Sequence, residues 1–499
     1  MYHRIKQLEV KMKLAELLRP WIGTDLPSCE ILGLHNDSRQ IKPGFLFIAY
    51  PGLATDGRLF ISQALSAGAI ALLYDPENWP SKCQLPTEIP SMALPGLATK
   101  LAEIASRFYG EPSKKLALTG VTGTNGKTTI AYQLAQAHSL LGERSAYIGT
   151  IGQGEVTSLQ TLANTTPDAL CLQQLLESYE QRAIKQICME VSSHALSQHR
   201  VDCIDFQQAI FTNLSHDHLD YHETMEAYAS AKALLFAKET LKWAIVNKDD
   251  SYSQMICDAS RAEQLISYGI KEGADVRALN WDVSLRGTRL ELSSPWGQHQ
   301  LAINALGFFN IYNALAVFSS LLASGYPVDK VVPVMAKLQA APGRMEIVTQ
   351  EPYAIVDYAH SPDALENVLS TLQEVKKGRI LVVFGCGGDR DKKKRPMMGK
   401  IASHYADIAI ITSDNPRSED PLAIIDEIEA GVSSKSNLYK IPDREQAIAK
   451  ALSLADKDDI VLVAGKGHED YQQIGSVRHV FSDQQVIRHL KMKETVSGL

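Results

Sequence analysis

Gly123-Thr124-Asn125-Gly126-Lys127-Thr128-Thr129 brings together the residue types that a nucleoside triphosphate requires. Glycines let backbone N–H groups turn toward phosphates, a lysine reaches the β- and γ-phosphates, and a threonine hydroxyl ligates Mg²⁺. The run follows an apolar segment at 116–121 and opens a helical pattern at Lys127, the strand-to-helix setting of a phosphate loop. The spacing departs from G-x-x-x-x-G-K-[ST]: Val121 stands where the first glycine belongs, and a glycine appears at Gly123 instead. ATP or GTP is the expected ligand.

Further residues suited to such chemistry follow. Glu190 closes Ile187-Cys188-Met189-Glu190, and a carboxylate at the tip of a buried strand beside a phosphate loop is where a nucleoside triphosphatase holds its metal. His216-Asp217-His218-Leu219-Asp220-Tyr221-His222 is dense in ligand types but lacks an H-E-x-x-H pattern or a remote cysteine pair for zinc, which favours a histidine contact to a second Mg²⁺. Asn247-Lys248-Asp249-Asp250 matches the guanine-reading N-K-x-D pattern of GTPase switches. No aspartate at 168, 202, 205, 217 or 220 has the glycine that a D-x-x-G element needs, so the cluster reads as a turn whose side chains bond their own backbone. Gly385-Cys386-Gly387-Gly388-Asp389-Arg390 places arginine at the last glycine of G-x-G-x-x-G, which counts against a dinucleotide oxidoreductase.

The elements that must position these residues are α/β in character. Strand-like runs at 186–191, 208–212, 243–247, 354–356, 380–384, 408–412 and 459–464 alternate with helical patterns, the signature of mostly parallel, helix-covered sheets. Polar Pro/Gly connectors at 109–115 and 338–344 suggest domains of 1–112, 113–341 and 342–499, in keeping with a 499-residue chain. Fifty basic against 57 acidic residues leave a net charge of −7, which counts against a nucleic-acid surface. Seven cysteines, none nearer another than fifteen residues, suggest no disulfide framework and fit a reducing cytosol. No apolar run reaches the ~18 residues of a membrane span, and Met12 offers a second in-frame start. A cytoplasmic protein is expected.

In colinear order, the phosphate loop and Glu190 join Asp37-Ser38-Arg39, Asn164-Thr165-Thr166, Gln198-His199-Arg200, Ala231-Lys232, Gly343-Arg344-Met345-Glu346 and Asp357-Tyr358-Ala359-His360. The series ends with Asp414-Asn415-Pro416-Arg417 and Gly465-Lys466-Gly467-His468-Glu469. This set resembles the Mur ligases of peptidoglycan synthesis, and among them the branch that adds meso-2,6-diaminopimelate. The resemblance implies three α/β domains: an N-terminal UDP-binding domain, a central P-loop ATPase domain and a C-terminal Rossmann-like domain. It implies an ATP- and Mg²⁺-dependent amide ligase joining diaminopimelate to UDP-MurNAc-L-Ala-D-Glu through an acyl phosphate, and a monomer. A lysine-adding relative or a folylpolyglutamate synthetase-like ligase is the near alternative, and a nucleotide-gated binding protein the distant one.

The same resemblance implies roles for particular residues. Lys127 would act on the transferring phosphoryl group, Thr128 and Glu190 would hold one Mg²⁺, and His218 and Lys232 a second, with Lys232 as its carbamate (N6-carboxylysine). Read from its own helical stretch at 228–236, Lys232 would be a solvated surface lysine. Asn310 and Asn313 would approach the adenine, and Arg344, Asp357 and His360 the nucleotide. Asn36, Ser38, Leu53, Ala54 and Thr55 would lie at the uridine diphosphate. Asn164, Thr165, Thr166, Ser192, Gln198 and Arg200 would line the muramoyl-peptide. Arg390, Asp414, Asn415, Pro416, Arg417, Gly465 and Glu469 would take diaminopimelate, Arg417 gripping the carboxylate that lysine lacks. The basic run at 389–395 reads as a solvated loop with Arg390 its one functional member.

Overall fold

Apolar runs of strand length, each closed by a polar turn, become the parallel sheets of this chain in a computed structural model that describes residues 10–23, 26–52, 55–433 and 436–497. By its internal contacts the chain divides into two units, the first comprising 1–127, 138–246 and 250–266, the second 128–137, 247–249 and 267–499.

In the first unit, Gly33–His35, Phe45–Ala49, Ala71–Tyr74 and Ser91–Ala93 pair in that order, all parallel, and the helix Leu97–Phe108 shares their apolar core. A second, mixed sheet contains the parallel run Trp243–Asn247, Phe206–Phe211, Ala117–Thr122, Gln186–Glu190, Ser145–Gly149, the last pairing antiparallel with Gly152–Gly154. Ala117–Thr122, the strand feeding the phosphate loop, is thus flanked on one side by Gln186–Glu190 and on the other by Phe206–Phe211. Loops leaving the carboxyl ends of such strands diverge and open a crevice there, where ligands of open α/β sheets bind.

In the second unit, Val276–Ser284, Gly287–Ser294 and Gly297–Ile303 form an antiparallel meander, followed by the helix Phe308–Ala323. A six-stranded sheet runs Glu346–Gln350, Tyr353–Asp357, Ile460–Ala464, Ile380–Phe384, Ile408–Ile411, Leu438–Lys440, antiparallel only at its first pair. Ile460–Ala464 and Ile380–Phe384 are buried along their whole length, which is why they read as uninterrupted apolar runs.

Every strand run named from the sequence is a strand, with ends displaced by at most two residues. The helix carrying Lys232 begins earlier than the pattern at 228, at Met225, where Thr224 accepts the Ala227 N–H at 3.1 Å as its cap. One reading is corrected: the basic run is not wholly solvated. Arg395 has no exposed surface and pairs with Glu419 at 2.9 Å and Glu427 at 2.8 Å, because it lies on the inward face of the helix Lys394–Tyr405. The Arg395 guanidinium holds the Glu419 carboxyl down at about 2.

Arg444 and Asp483, both fully buried, tie the first turns of two helices together with bonds of 2.7 and 2.8 Å. Arg444→Met strands a buried carboxylate and is expected to destabilise this unit by about 3–5 kcal/mol, whereas Arg444→Met with Asp483→Leu costs less. Urea unfolding of the three proteins checks the order.

Candidate active site

The sheet register sets Glu190 opposite Val121, two residues before Gly123. Gly123 has φ +145, and a Cβ there would fall on the Thr212 hydroxyl, so glycine is required where the strand turns into the loop. The loop is latched to the residues after the neighbouring strand. Thr124 N–H donates to Asn213 O at 2.8 Å and Asn125 N–H to Asn213 Oδ1 at 3.0 Å, while the Thr212 hydroxyl and Asn213 Nδ2 donate to Asn125 O at 2.6 and 3.1 Å. Lys127 Nζ donates to Gly123 O at 2.9 Å and Thr124 O at 2.8 Å, folded back over its own loop. Thr128 is buried and Thr129 half-buried in the first turn of the helix Lys127–Leu140.

Lys232 is 1% exposed, which overturns its reading as a surface lysine. Its Nζ donates to Gly123 O at 2.9 Å, the carbonyl that Lys127 also uses, and lies 4.3 Å from the centre of the Tyr228 ring. Burial pushes its pKa well below the usual lysine range and the Lys127 charge pushes the same way, with Asp217 opposing. Tyr228 also meets the phosphate loop, its hydroxyl 3.3 Å from Thr124 Oγ1.

Glu190 is fully buried. Its Oε1 accepts from the Tyr147 hydroxyl and, at 2.8 Å, from Thr150 N–H, and its Oε2 accepts from the Thr150 hydroxyl at 3.1 Å. His218 takes a left-handed backbone at φ +54 and packs its ring edge-on 4.9 Å from that of His194. His222 Nε2 bonds Ser193 Oγ at 2.9 Å. Burial, with neighbouring positive charge, lowers the pKa of both His194 and His222. Among the described residues no three His, Cys, Asp or Glu side chains are grouped to hold a metal ion.

Around Glu190 the structure collects most of the residues expected to line a muramoyl-peptide. The Thr166 hydroxyl donates to Glu190 O at 2.8 Å and accepts from Ser192 N–H at 3.1 Å. Arg200 Nη1 donates to Thr166 O at 2.9 Å and its Nε to Gln198 Oε1 at 3.1 Å. Thr165 Oγ1 lies 3.1 Å from Thr150 Oγ1, and Asn164 is exposed beside it. On the N-terminal sheet, Asn36 Nδ2 donates to the Tyr50 hydroxyl at 2.9 Å and the Ser38 hydroxyl to Gln63 at 3.0 Å. The Thr55 carbonyl accepts from Gly52 N–H at 3.0 Å, whereas Leu53 and Ala54 lie outside the described residues.

In the second unit Asn310 and Asn313 are buried and bonded inward, Asn310 Nδ2 to Leu306 O at 2.6 Å and Asn313 Nδ2 to Asn310 Oδ1 at 2.8 Å. Asp357 accepts from Met345 N–H at 2.7 Å and Ala359 N–H at 2.8 Å. Burial raises its pKa, against the pull of Arg344. The Arg344 guanidinium stacks 4.7 Å from the Tyr358 ring centre, its buried Nε without a hydrogen-bond partner among the described residues, and His360 Nδ1 bonds the Tyr358 carbonyl at 2.8 Å.

The loop Asp414-Asn415-Pro416-Arg417 is held from two sides. Arg417, at φ +52, donates its N–H to Gln473 O at 3.1 Å and accepts from Gly475 N–H at 2.7 Å, and its Nη1 donates to Gly388 O at 2.7 Å. Asn415 Nδ2 donates to Glu469 Oε2 at 2.8 Å, and Gln472 Nε2 to Asp414 O at 2.8 Å. Gly465 approaches Asp414 closely, whereas Arg390 is exposed and, among the described residues, bonds only its neighbour's carbonyl, Asp389 O, at 3.4 Å. The turn reading of Asn247-Lys248-Asp249-Asp250 agrees with the geometry: Asn247 Oδ1 accepts Asp249 N–H at 3.1 Å, and Asp249 Oδ2 accepts Ile270 N–H at 2.7 Å.

Three Mur ligase family models match in succession: the "Mur ligase family, catalytic domain" over residues 30–109, the middle domain over 121–321 and the glutamate ligase domain over 343–467. Two relatives named UDP-N-acetylmuramoyl-L-alanyl-D-glutamate–2,6-diaminopimelate ligase are each 45% identical. The one from Chromobacterium violaceum covers 90% of this chain and 91% of its own length, that from Pseudomonas aeruginosa 90% and 92%. The chain belongs to the Mur ligase family. A solved structure bearing that same ligase name is 35% identical, with a TM-score of 0.72 over 97% of this chain and 99% of the other. The three-domain α/β architecture of Mur ligases is therefore that of this chain.

Within this Mur ligase, the sequence reading passed over Tyr147, Thr150, Thr212, Asn213 and Tyr228, which hold Glu190, the phosphate loop and Lys232. Only Thr212-Asn213, polar residues directly after an apolar strand, carried a local signal.

Proposed function

We propose that this Mur ligase joins meso-2,6-diaminopimelate to the D-Glu of UDP-MurNAc-L-Ala-D-Glu at the expense of ATP, as a monomeric cytoplasmic enzyme of peptidoglycan precursor synthesis. The observation that carries the acceptor assignment is the Asp414-Asn415-Pro416-Arg417 loop held at both ends, in a chain 45% identical to ligases bearing that substrate in their names. No described helix is long and apolar enough to cross a membrane.

The γ-carboxylate of D-Glu attacks the γ-phosphoryl group and ADP departs. An amine of diaminopimelate then adds to the acyl phosphate, and the tetrahedral adduct expels phosphate, leaving the amide. Phosphoryl transfer is chiefly positioning plus charge stabilisation, so the chain supplies mostly cations and fixed N–H groups. Lys127 neutralises the transferring phosphoryl group; the amides at the N-terminus of the helix Lys127–Leu140 face the adjacent phosphates. Arg200, bonded to Thr166 and Gln198, holds the muramoyl-peptide beside Glu190.

The residues fit magnesium by donor chemistry: a strand-tip carboxylate, Glu190, stands in register with the phosphate-loop strand, and Thr128 opens the following helix. Bound there and at His218 and Lys232, Mg²⁺ would neutralise the phosphate oxygens. An ammonium at Lys232 would repel the ion, but burial beside Lys127 favours the neutral amine. That amine adds to CO₂ and loses a proton, turning a cation into a carboxylate-like ligand. Lys232→Ala is expected to lose about a hundredfold in turnover and to regain part of it with added short carboxylic acids. Wild-type activity in Lys232→Arg would show that a cation suffices.

The reading is tested by product mass after incubating ATP and UDP-MurNAc-L-Ala-D-Glu with equal meso-diaminopimelate and lysine. A lysine adduct in comparable yield defeats it.

A further inference from the structure

Lys466 follows Gly465 in the loop after the strand Ile460–Ala464 and has no exposed surface. Gly465 sits at φ +113, and a Cβ there would lie 2.6 Å from Asp414 Oδ2, so the chain passes tightly against the acceptor loop and the lysine turns into the interior. Its ammonium donates to Glu469 Oε2 at 2.9 Å and to Asn415 Oδ1 at 3.3 Å. Asn415 Nδ2 donates to the same Glu469 oxygen at 2.8 Å, closing a triangle, and Gln473 N–H bonds Asn415 Oδ1 at 2.8 Å.

Asn415 and Glu469 belong to the set expected to take diaminopimelate; Lys466 does not. Arg444, Tyr358 and Tyr471 also feel the Glu469 charge. Arg444 is committed to Asp483, and among the described residues Lys466 is the cation in direct ion-pair contact with Glu469.

Resting on the reading of the acceptor as diaminopimelate, we propose that Lys466 is a positioning residue: it occupies Oε2 of Glu469 and so presents Oε1 to the distal amine of the substrate, the one not converted to amide. Without its counter-cation, a carboxylate here does not stay as a bare anion awaiting that amine. It swings outward, along the side that leaves 18% of the Glu469 side chain exposed. The acceptor for the amine is then lost, while the Arg417 contact to the distal carboxylate remains.

The test compares meso-diaminopimelate with 2-aminopimelate, which keeps both carboxylates and the reacting amine and lacks only the distal one. Steady-state constants are measured for wild type, Lys466→Met, Glu469→Gln and the charge-neutral double variant. Lys466→Met is expected to raise KM for diaminopimelate about tenfold or more, with kcat and the KM for ATP nearly unchanged and little effect on 2-aminopimelate. The double variant is expected to match Glu469→Gln alone, because Lys466 acts through that carboxylate. Equal losses on both amino acids, a raised KM for ATP, or a double variant far below Glu469→Gln would overturn the inference. Should Lys466→Met not fold, the double variant, which buries no unbalanced charge, decides. A wild-type enzyme that ligates neither amino acid would instead defeat the proposed function.

Discussion

Lys127→Ala is expected to lower ligation by about a thousandfold or more while leaving the protein folded. The ammonium is the side-chain cation of the loop, and its bonds at 2.9 and 2.8 Å go to the carbonyls of Gly123 and Thr124. The loop itself is held by Thr212 and Asn213, whose bonds to Thr124 and Asn125 do not involve Lys127. Truncation thus removes charge from the transferring phosphoryl group without loosening the backbone cradle, and such electrostatic terms are worth about 10³-fold or more in phosphoryl transfer. Phosphate release at saturating ATP and both co-substrates gives the rate, and thermal unfolding gives the control. More than a tenth of wild-type turnover in a folded variant would remove the phosphate-loop assignment.

Wild-type enzyme is expected to prefer meso-diaminopimelate over lysine by about a hundredfold in kcat/KM, and Arg417→Ala to lose most activity on diaminopimelate. With lysine bound, the guanidinium keeps its bond to Gly388 O but has no carboxylate to meet. An unpaired buried charge costs about 3–5 kcal/mol, and because Arg417 is only half-buried a discounted figure of about 2–3 kcal/mol applies. At about 1.4 kcal/mol per factor of ten, that is the stated preference. The KM for ATP should hardly move, since the contact is to the acceptor alone. The variant need not become a lysine ligase, because Asp414 and Glu469 remain. Equal wild-type use of lysine, or undiminished diaminopimelate turnover in Arg417→Ala, places the discrimination elsewhere.

What was legible in the sequence was contiguous. Strands 380–384 and 460–464 are buried on both faces and therefore uniformly apolar, and the phosphate loop and the Asp414 to Arg417 run each spell a whole device in a few adjacent residues. The meander of Val276–Ser284, Gly287–Ser294 and Gly297–Ile303 was not foreseen, since its buried Leu290 and Leu292 alternate with the polar Arg289 and Glu291 and make no long apolar run. Thr150 and Tyr147 find Glu190 through strand pairing across some forty residues, and no spacing rule announces such a meeting. Lys232 is the extreme case: helix pattern alone puts it in water, whereas in the fold it is buried, bonded to Gly123 O from a distant segment and set against Tyr228 one turn before it. Arg395 failed in the same way, a core ion-pair partner disguised within a charge run.

The hairpin of Tyr471–Ile474 and Val477–Val480 meets the acceptor loop through backbone groups, Arg417 N–H to Gln473 O and Gly475 N–H to Arg417 O. Its outward strand is exposed throughout, with Val480 91% accessible. Bonds made by the main chain survive almost any side-chain exchange, so the outer strand is free to drift in descendants while the clasp on Arg417 is inherited unchanged. Selection for a different amino acid would then act on a few side chains of this loop and hairpin, and leave the apparatus that spends ATP, encoded in other stretches of the chain, as it was. With Arg417 reading the acceptor as proposed, acceptor choice and energy coupling would be separately heritable, and a lineage that changed its cell-wall amino acid need not have rebuilt its ligase.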